Sequence, residues 1–381
     1  MLVTACTSKQ SADTDTGTKV QTANIDASRQ KLKQELNLDK SMELSYATQF
    51  SIDYNDDGYA LITIADGSSF YVVPKGGEVP QTLDADITVI QKPLTSIYLV
   101  ATSAMDLFRA IEGLDSIRLS GTEADGWYID EAKEAMEAGD ILYAGKYSAP
   151  DYEQIVEEGC DLAVESTMIY HSPEVKEQLE SFGIPVLVER SSYEEHPLGR
   201  MEWIKLYGFL LGKEDEAQAY FDEQVKKVES ILQETSENED KQTVAFFYLN
   251  ANGSVIVRKS GDYVAKMIAL AGGTYLFDDL DDDSATSTMT MQMETFYAQA
   301  KDADVLIYNS TIDGEMTSLS ELLEKSSLLA DFKAVKDKKV WCVRQNMFQQ
   351  STGIGDMIAD IHKVLEDADV LDEELTYLYK L

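Results

Sequence analysis

Several residues in this chain have side chains suited to holding a guest molecule. The stretch "RSSYEEHPLGRMEW" gathers Tyr193, Glu194, Glu195, His196 and Arg200 within a few positions. Tyr193 offers a stacking face, Arg200 a guanidinium, and His196 a nitrogen that could serve as axial ligand to a bound metal complex. Arg258 and Arg344 end two apolar runs, "SVIVR" and "VWCVR". A guanidinium matches carboxylate and catecholate oxygens through its fixed fork of donors. Trp127 and Tyr128 follow the loop "TEADG", and Tyr147 follows "ILYAG", the carboxyl end of an expected strand. Thr102 and Ser103 stand at an expected helix start. Ligands of open parallel sheets bind along the carboxyl ends of the strands, which favours Tyr147, Thr102 and Ser103. Each residue also has an ordinary reading. Arg200 could pair at a helix start, the strand-end arginines could meet some of the many carboxylates, Trp127 could cover the core, and Thr102 and Ser103 could be helix caps.

Other chemistry is poorly served. There is no GxSxG, HExxH, phosphate loop or GxGxxG, and the glycine runs "AGG" and "GIG" read as helix ends and turns. Only His171, His196 and His362 are present, and the last lies in the helical run "IADIHKVL", so a site for a bare metal ion is not expected. No bound cofactor of the protein's own is expected either.

The balance of charge narrows the partners. Against 32 Lys and Arg stand 69 Asp and Glu, a net charge of −37. Nucleic acid is therefore not an expected partner, because phosphate binding needs clustered cations. No apolar run is long enough to span a bilayer. The three cysteines, Cys6, Cys160 and Cys342, form no CxxC or Cys/His cluster, and pairing of the last two stays open. Cys6 is placed differently from the others. It ends Val3-Thr4-Ala5-Cys6, which resembles a bacterial lipobox, and it precedes "TSKQSADTDTGTK", a polar run composed like a flexible tether. Cys6 is thus the candidate lipidation site.

The elements that must position these residues follow from periodicity. After the tether, Asp26 could cap a short helix running to about Leu38. Alternating runs over residues 44–74, with the turn Asn55-Asp56-Asp57-Gly58, predict antiparallel hairpins. From "SIYLVAT" to "IPVLVER", apolar strands alternate with helical runs such as "AMDLFRAIEGL", "APDYEQIVEEG" and "SPEVKEQLESFG". That alternation predicts a parallel sheet with helices on its faces. Residues 198–237 change to helical spacing without proline, so a stiff joining helix is expected, with a bend or break near Gly212. The strand–helix alternation then resumes from "TVAFFYLN". The fold class is α/β, with two lobes and a cleft between them. The expected divisions are 1–40 for anchor and tether, 41–197 for the N-terminal lobe, 198–237 for the joining helix and 238–381 for the C-terminal lobe.

In order and spacing, "PLTSIYLVATSAMDLFRAIEGLDSI", "YSAPDYEQIVEEGCDLAV", "LESFGIPVLV", "RMEWIKLYGFLLGKEDEAQAYFDEQ" and "METFYAQAKDADVLIY" resemble the ABC-transporter substrate-binding proteins for cobalamin, haem and iron siderophores. The resemblance spans about residues 90–365, and the hairpins at 44–74 and Gly-Cys-Asp at 159–161 depart from it. It implies two lobes, each with a mainly parallel sheet, joined by one long helix. It implies a monomeric, non-enzymatic receptor that binds an iron complex, haem or cobalamin. It also implies a lipid anchor on the outer face of the cell membrane and delivery of the ligand to an ABC permease dimer with its ATPase subunits. The family's permease-docking glutamates fall on Glu153 and Glu294, each opening a helix that precedes an Asp-apolar strand. A chelatase-like α/β enzyme acting on a metal or tetrapyrrole, with His196 as base, is the alternative.

Overall fold

Apolar runs such as "LAVES" and "TVAFFYL" become central strands because both of their faces are covered. The structure, a computed structural model, describes residues 33–81, 83–84, 86–235, 240–280 and 287–381. Cys6, most of the tether and Asp26 lie outside the described residues.

In the N-terminal lobe the strands are β6 (Ile97–Leu99), β7 (Ile117–Ser120), β8 (Leu142–Tyr143), β11 (Leu162–Ser166) and β12 (Val186–Glu189), and a small hairpin of β9 (Gly145–Lys146) and β10 (Ala149–Pro150) follows β8. The five pair in the order β12-β11-β6-β7-β8, all parallel. Helices α1 (Thr102–Ala110) and α2 (Asp130–Ala138) pack into one apolar cluster, through Leu107 and Ala132. Helices α3 (Tyr152–Glu157) and α4 (Pro173–Ser181) pack into another, through Ile155, Val175 and Leu179. The crossovers therefore change face between β6 and β11, which makes that point the sheet's topological switch. One local expectation is corrected here. Thr102 and Ser103 do not cap α1, because Ala101 occupies the N-cap and makes no side-chain bond, so both residues lie inside the helix's first turn.

Three further helical segments follow: α5 (Pro197–Glu202), α6 (Ile204–Leu211) and α7 (Glu214–Thr235). The break expected near Gly212 is present. Gly212 adopts φ 71°, a left-handed conformation that glycine takes without steric cost, and ends α6. The joining segment is therefore not one uninterrupted rod over 198–237. Its long member is α7, of 22 residues.

The C-terminal lobe has a seven-stranded sheet. Strands β13 (Thr243–Leu249), β17 (Val305–Tyr308) and β18 (Val340–Val343) run parallel at its centre. The short β15 (Thr274–Tyr275) is parallel to β13, whereas β14 (Val255–Arg258), β16 (Thr288–Met291) and β19 (Leu378–Lys380) are antiparallel additions. Its helices are α8 (Tyr263–Leu270), α9 (Met293–Ala300), α10 (Leu319–Lys325), α11 (Lys333–Lys336) and the closing α12 (Ile354–Glu366). Asp262 caps α8, accepting from the Val264 N–H. Cys160 and Cys342 are both free.

The hairpins at 44–74 belong to a third sheet: β1 (Lys40–Ser41), β2 (Phe50–Tyr54), β3 (Ala60–Ile64), β4 (Ser69–Val73) and β5 (Ile87–Gln91). Strands β1 to β4 are antiparallel neighbours, and β5 joins β4 in parallel. This accessory sheet shares a core with the connector: Phe50 meets Trp203 edge-on with ring centroids 4.9 Å apart.

Candidate functional site

The two lobes meet through segments that leave the carboxyl ends of their parallel strands. Gln349, beyond β18, accepts the Tyr128 N–H at 2.8 Å and donates to the Gly126 carbonyl at 2.8 Å. The Gln350 amide reaches the Tyr128 carbonyl, and the Ser351 hydroxyl donates to the Ser103 carbonyl. Buried Asp106 of α1 accepts the Thr352 N–H at 2.8 Å. The two carboxyl edges thus face one another, which is where ligands of open α/β sheets lie. Thr102 is exposed at the switch point, and Ser166 ends β11, with Thr167 opening the turn after it.

Arg200 and Arg258 both bear on Tyr263, the first by contact and the second through its charge. Arg200, buried on α5, sets its guanidinium 4.0 Å from the centroid of the Tyr263 ring at the start of α8 and donates to the Ser191 carbonyl. It thereby bridges the lobes, since Ser191 follows β12. Arg258 pairs with Asp262 at 3.4 Å and lies 5.5 Å from the centroid of Phe348, in the loop after β18. Burial pushes the Tyr263 hydroxyl above its ordinary pKa, while Arg200 and Arg258 oppose that shift. Among the described residues no carboxylate lies within ion-pair distance of Arg200.

The other predicted residues are dispersed. Arg344 turns to the sheet edge, donating to the Asp372 carbonyl with its guanidinium over Tyr379, so it does not share a wall with Arg258. Trp127 is a core residue whose indole N–H donates to Ser120; the exposed aromatic of that loop is Tyr128. The Ser103 hydroxyl donates to buried Glu189 at 2.9 Å and is occupied there. Tyr147 is half-buried against the cluster behind the sheet. Tyr193 is exposed. His196 is the N-cap of α5, its Nδ1 accepting the Leu198 N–H, and its ring stacks on Tyr46 with centroids 4.6 Å apart. Burial, followed by the nearby Lys266 charge, holds its pKa below the ordinary histidine value. It lines a small cavity of about 250 Å³ with Glu195, Ser260, Gly261, Asp262 and Lys266. Its Nε2 is therefore the nitrogen available to a guest. Glu153 and Glu294 are exposed in the first turns of α3 and α9. Among the described residues no group of three His, Cys, Asp or Glu side chains could hold a metal ion.

Sequence reasoning missed two features. Glu194 and Glu202 are buried and hold the loop 45–49 of the accessory region. Glu202 accepts the N–H groups of Ser45, Tyr46 and Ala47, and Glu194 those of Thr48 and Gln49. Gly199 permits the approach, since a Cβ there would sit 2.9 Å from the Tyr46 carbonyl oxygen. The second feature is Arg190, directly after β12, whose guanidinium lies 4.4 Å from the Tyr193 ring centroid. The only local signal for Arg190 and Glu194 was the density of polar residues in "RSSYEEH", and Glu202 lies outside that stretch.

Residues 117–346 match the family model described as "Periplasmic binding protein". The chain belongs to the periplasmic binding protein family. An uncharacterized lipoprotein of Methanocaldococcus jannaschii is 27% identical over 368 residues, 91% of this chain and 85% of that one. Among solved structures, the periplasmic haem-binding protein HutB of Vibrio cholerae is similar with TM-score 0.58 at 15% identity, covering 72% of this chain and 100% of that one. The catecholate-siderophore binding protein VctP of Vibrio cholerae has TM-score 0.56 at 15% identity, covering 72% of this chain and 94% of that one. These likenesses establish the fold, two α/β lobes with parallel sheets. The family is one of solute-binding proteins. Among the described residues no helix is long and apolar enough to cross a membrane.

Proposed function

We propose that this periplasmic-binding-family protein is a lipid-anchored receptor on the outer face of the cell membrane. It binds an iron complex (siderophore or haem) or cobalamin between its lobes and delivers it to an ABC permease dimer with its ATPase subunits. One observation carries the ligand reading. Arg200 is a buried cation at the junction of the lobes, in a protein of net charge −37, with a carbonyl and a tyrosine ring as its partners. Burying an uncompensated charge is costly, and an anionic guest would remove that cost. The haem- and siderophore-binding proteins of similar fold support the same class, and the lipoprotein relative supports an anchor at Cys6.

Absorption and fluorescence titrations with haemin, a ferric tris(catecholate), a ferric hydroxamate and cyanocobalamin test the reading. Saturable binding of one of them, with the ligand recovered unaltered, is expected. Failure of all four to saturate, or chemical change of a bound one, would overturn it. Mass spectrometry of the membrane fraction of cells expressing the full gene tests the anchor, which requires a lipid-modified Cys6.

A further inference from the structure

Arg190 is held in an unusual way for so acidic a chain. Its Nε donates to Gln49 Oε1 at 3.2 Å, and its Nη1 donates to the Tyr170 hydroxyl at 2.9 Å. Tyr170 in turn donates to Asp66 Oδ2 at 2.9 Å. The guanidinium carbon lies over the Tyr193 ring. Every direct partner is neutral, and among the described residues no carboxylate lies within ion-pair distance of Arg190. By contrast Arg109, Arg118 and Arg258 each have at least one. Gln49 and Asp66 belong to the accessory region, whereas Arg190 and Tyr170 follow β12 and β11 at the carboxyl edge that faces the other lobe. The flanking rings stay open, Tyr170 being 41% and Tyr193 45% exposed. The accessory sheet therefore reaches the cleft edge and fixes the geometry of a cation there without neutralising it.

We infer that Arg190 receives an anionic oxygen on the periphery of the ligand, and that Gln49 and Asp66 of the accessory sheet are positioning residues for it. This makes the sheet part of the recognition wall. The inference rests on the receptor reading above and narrows it to chelates bearing peripheral carboxylate or phenolate oxygens. A fork already fixed by two hydrogen bonds loses little further entropy on accepting a third partner. The open tyrosine faces flank the same position with surfaces on which a flat ring can stack.

The test compares two probes on the full chain: an anionic ferric tris(catecholate) and a neutral ferric tris(acetohydroxamate). Arg190→Ala is expected to weaken the anionic probe roughly ten- to a hundredfold, the range of one charge-assisted bond, and to leave the neutral probe within about threefold. Gln49→Ala and Asp66→Asn should each weaken the anionic probe a few-fold. Gln49→Glu separates positioning from mere support. It keeps the side-chain length and still grips Arg190, but pairs with it, so anionic affinity should fall further than with Gln49→Ala while the melting temperature holds. The affinity of the unmodified protein for the anionic probe should decline with salt, and Arg190→Ala should flatten that slope. If the protein binds the anionic probe and Arg190→Ala leaves its affinity unchanged, or Gln49→Glu is neutral, the inference fails and the receptor reading stands. If the unmodified protein binds the neutral probe alone, the anionic class is wrong. If it binds no candidate ligand, both readings fail together.

Discussion

Arg200 and Arg258 share Tyr263 but differ in what surrounds them. Arg258 has Asp262 as a built-in counter-ion, and Arg200 has none among the described residues. Arg200→Ala should therefore weaken an anionic ligand more than Arg258→Ala, by roughly ten- to a hundredfold against severalfold. Arg344→Ala, tied to the sheet edge, should leave affinity unchanged. Isothermal titration of the three variants, with melting temperature as control, distinguishes them; an equal loss from Arg344→Ala would move the site toward β19. A second residue-scale case is Glu165. It is fully buried on β11 opposite Val188, and both carboxylate oxygens are without a hydrogen-bond partner among the described residues. Burial pushes its pKa up to about 8. The groups that face it include the Tyr98 and Tyr152 hydroxyls, which bring no positive charge. The folded protein thus binds a proton more tightly than the unfolded chain does. Its stability is complete below the unfolded carboxyl's ordinary range and falls as pH rises toward 8. By pH 7 the loss is about 3 kcal/mol, at roughly 1.36 kcal/mol per unit. Glu165→Gln should flatten this part of the pH–stability curve in urea unfolding; an unchanged slope would mean that the carboxyl finds a charged partner or water.

At the scale of elements, the accessory sheet is held by the two connector carboxylates. Buried Glu202 gathers three backbone N–H groups of a partly exposed loop and the buried Lys205 ammonium at 2.8 Å. Glu202→Ala leaves those donors without their carboxylate and the buried ammonium with only the Glu43 carbonyl to accept from it, a cost of about 3–5 kcal/mol. The expected result is a lower urea midpoint and early proteolytic cutting within residues 40–75. An unchanged midpoint would show that the loop 45–49 contributes no stability. None of this was legible beforehand, because the bonds link positions 145 to 157 apart in sequence. What local chemistry decides could be read: the strand–helix alternation, the break at Gly212 and the hairpins at 44–74. What depends on distant partners could not. Trp127 follows a polar loop and looks exposed, but a hydroxyl on β7 draws its indole inward. Ser103 looks like a cap, but Glu189 from another strand takes its hydroxyl. Arg190 sits among linker-like residues, and only the folded chain brings Gln49 to it.

At the scale of the whole molecule, the lobes are bound by the connector and by the contacts from residues 349–352 to α1 and the 126–128 loop. Such coupling suits a receptor that presents both lobes to a permease as one surface. Glu153 and Glu294 hold equivalent places in the two halves. Each lies exposed in the first turn of a helix, α3 or α9, that leads into a central parallel strand, β11 or β17. Neither touches the residues that bear on Tyr263. Exposed ion pairs are worth only ~0–1 kcal/mol each, so these carboxylates would orient the docked receptor more than hold it, and one substitution should be tolerated in part. Reversing both, Glu153→Arg with Glu294→Arg, places like charges against the permease on both lobes, where repulsion suppresses association. Uptake of labelled ligand into cells should then fall to background, while the purified double variant keeps its ligand affinity and melting temperature. Transport at the normal rate would remove the two glutamates from the docking surface. A loss of ligand affinity would place them, against the geometry, in the binding site.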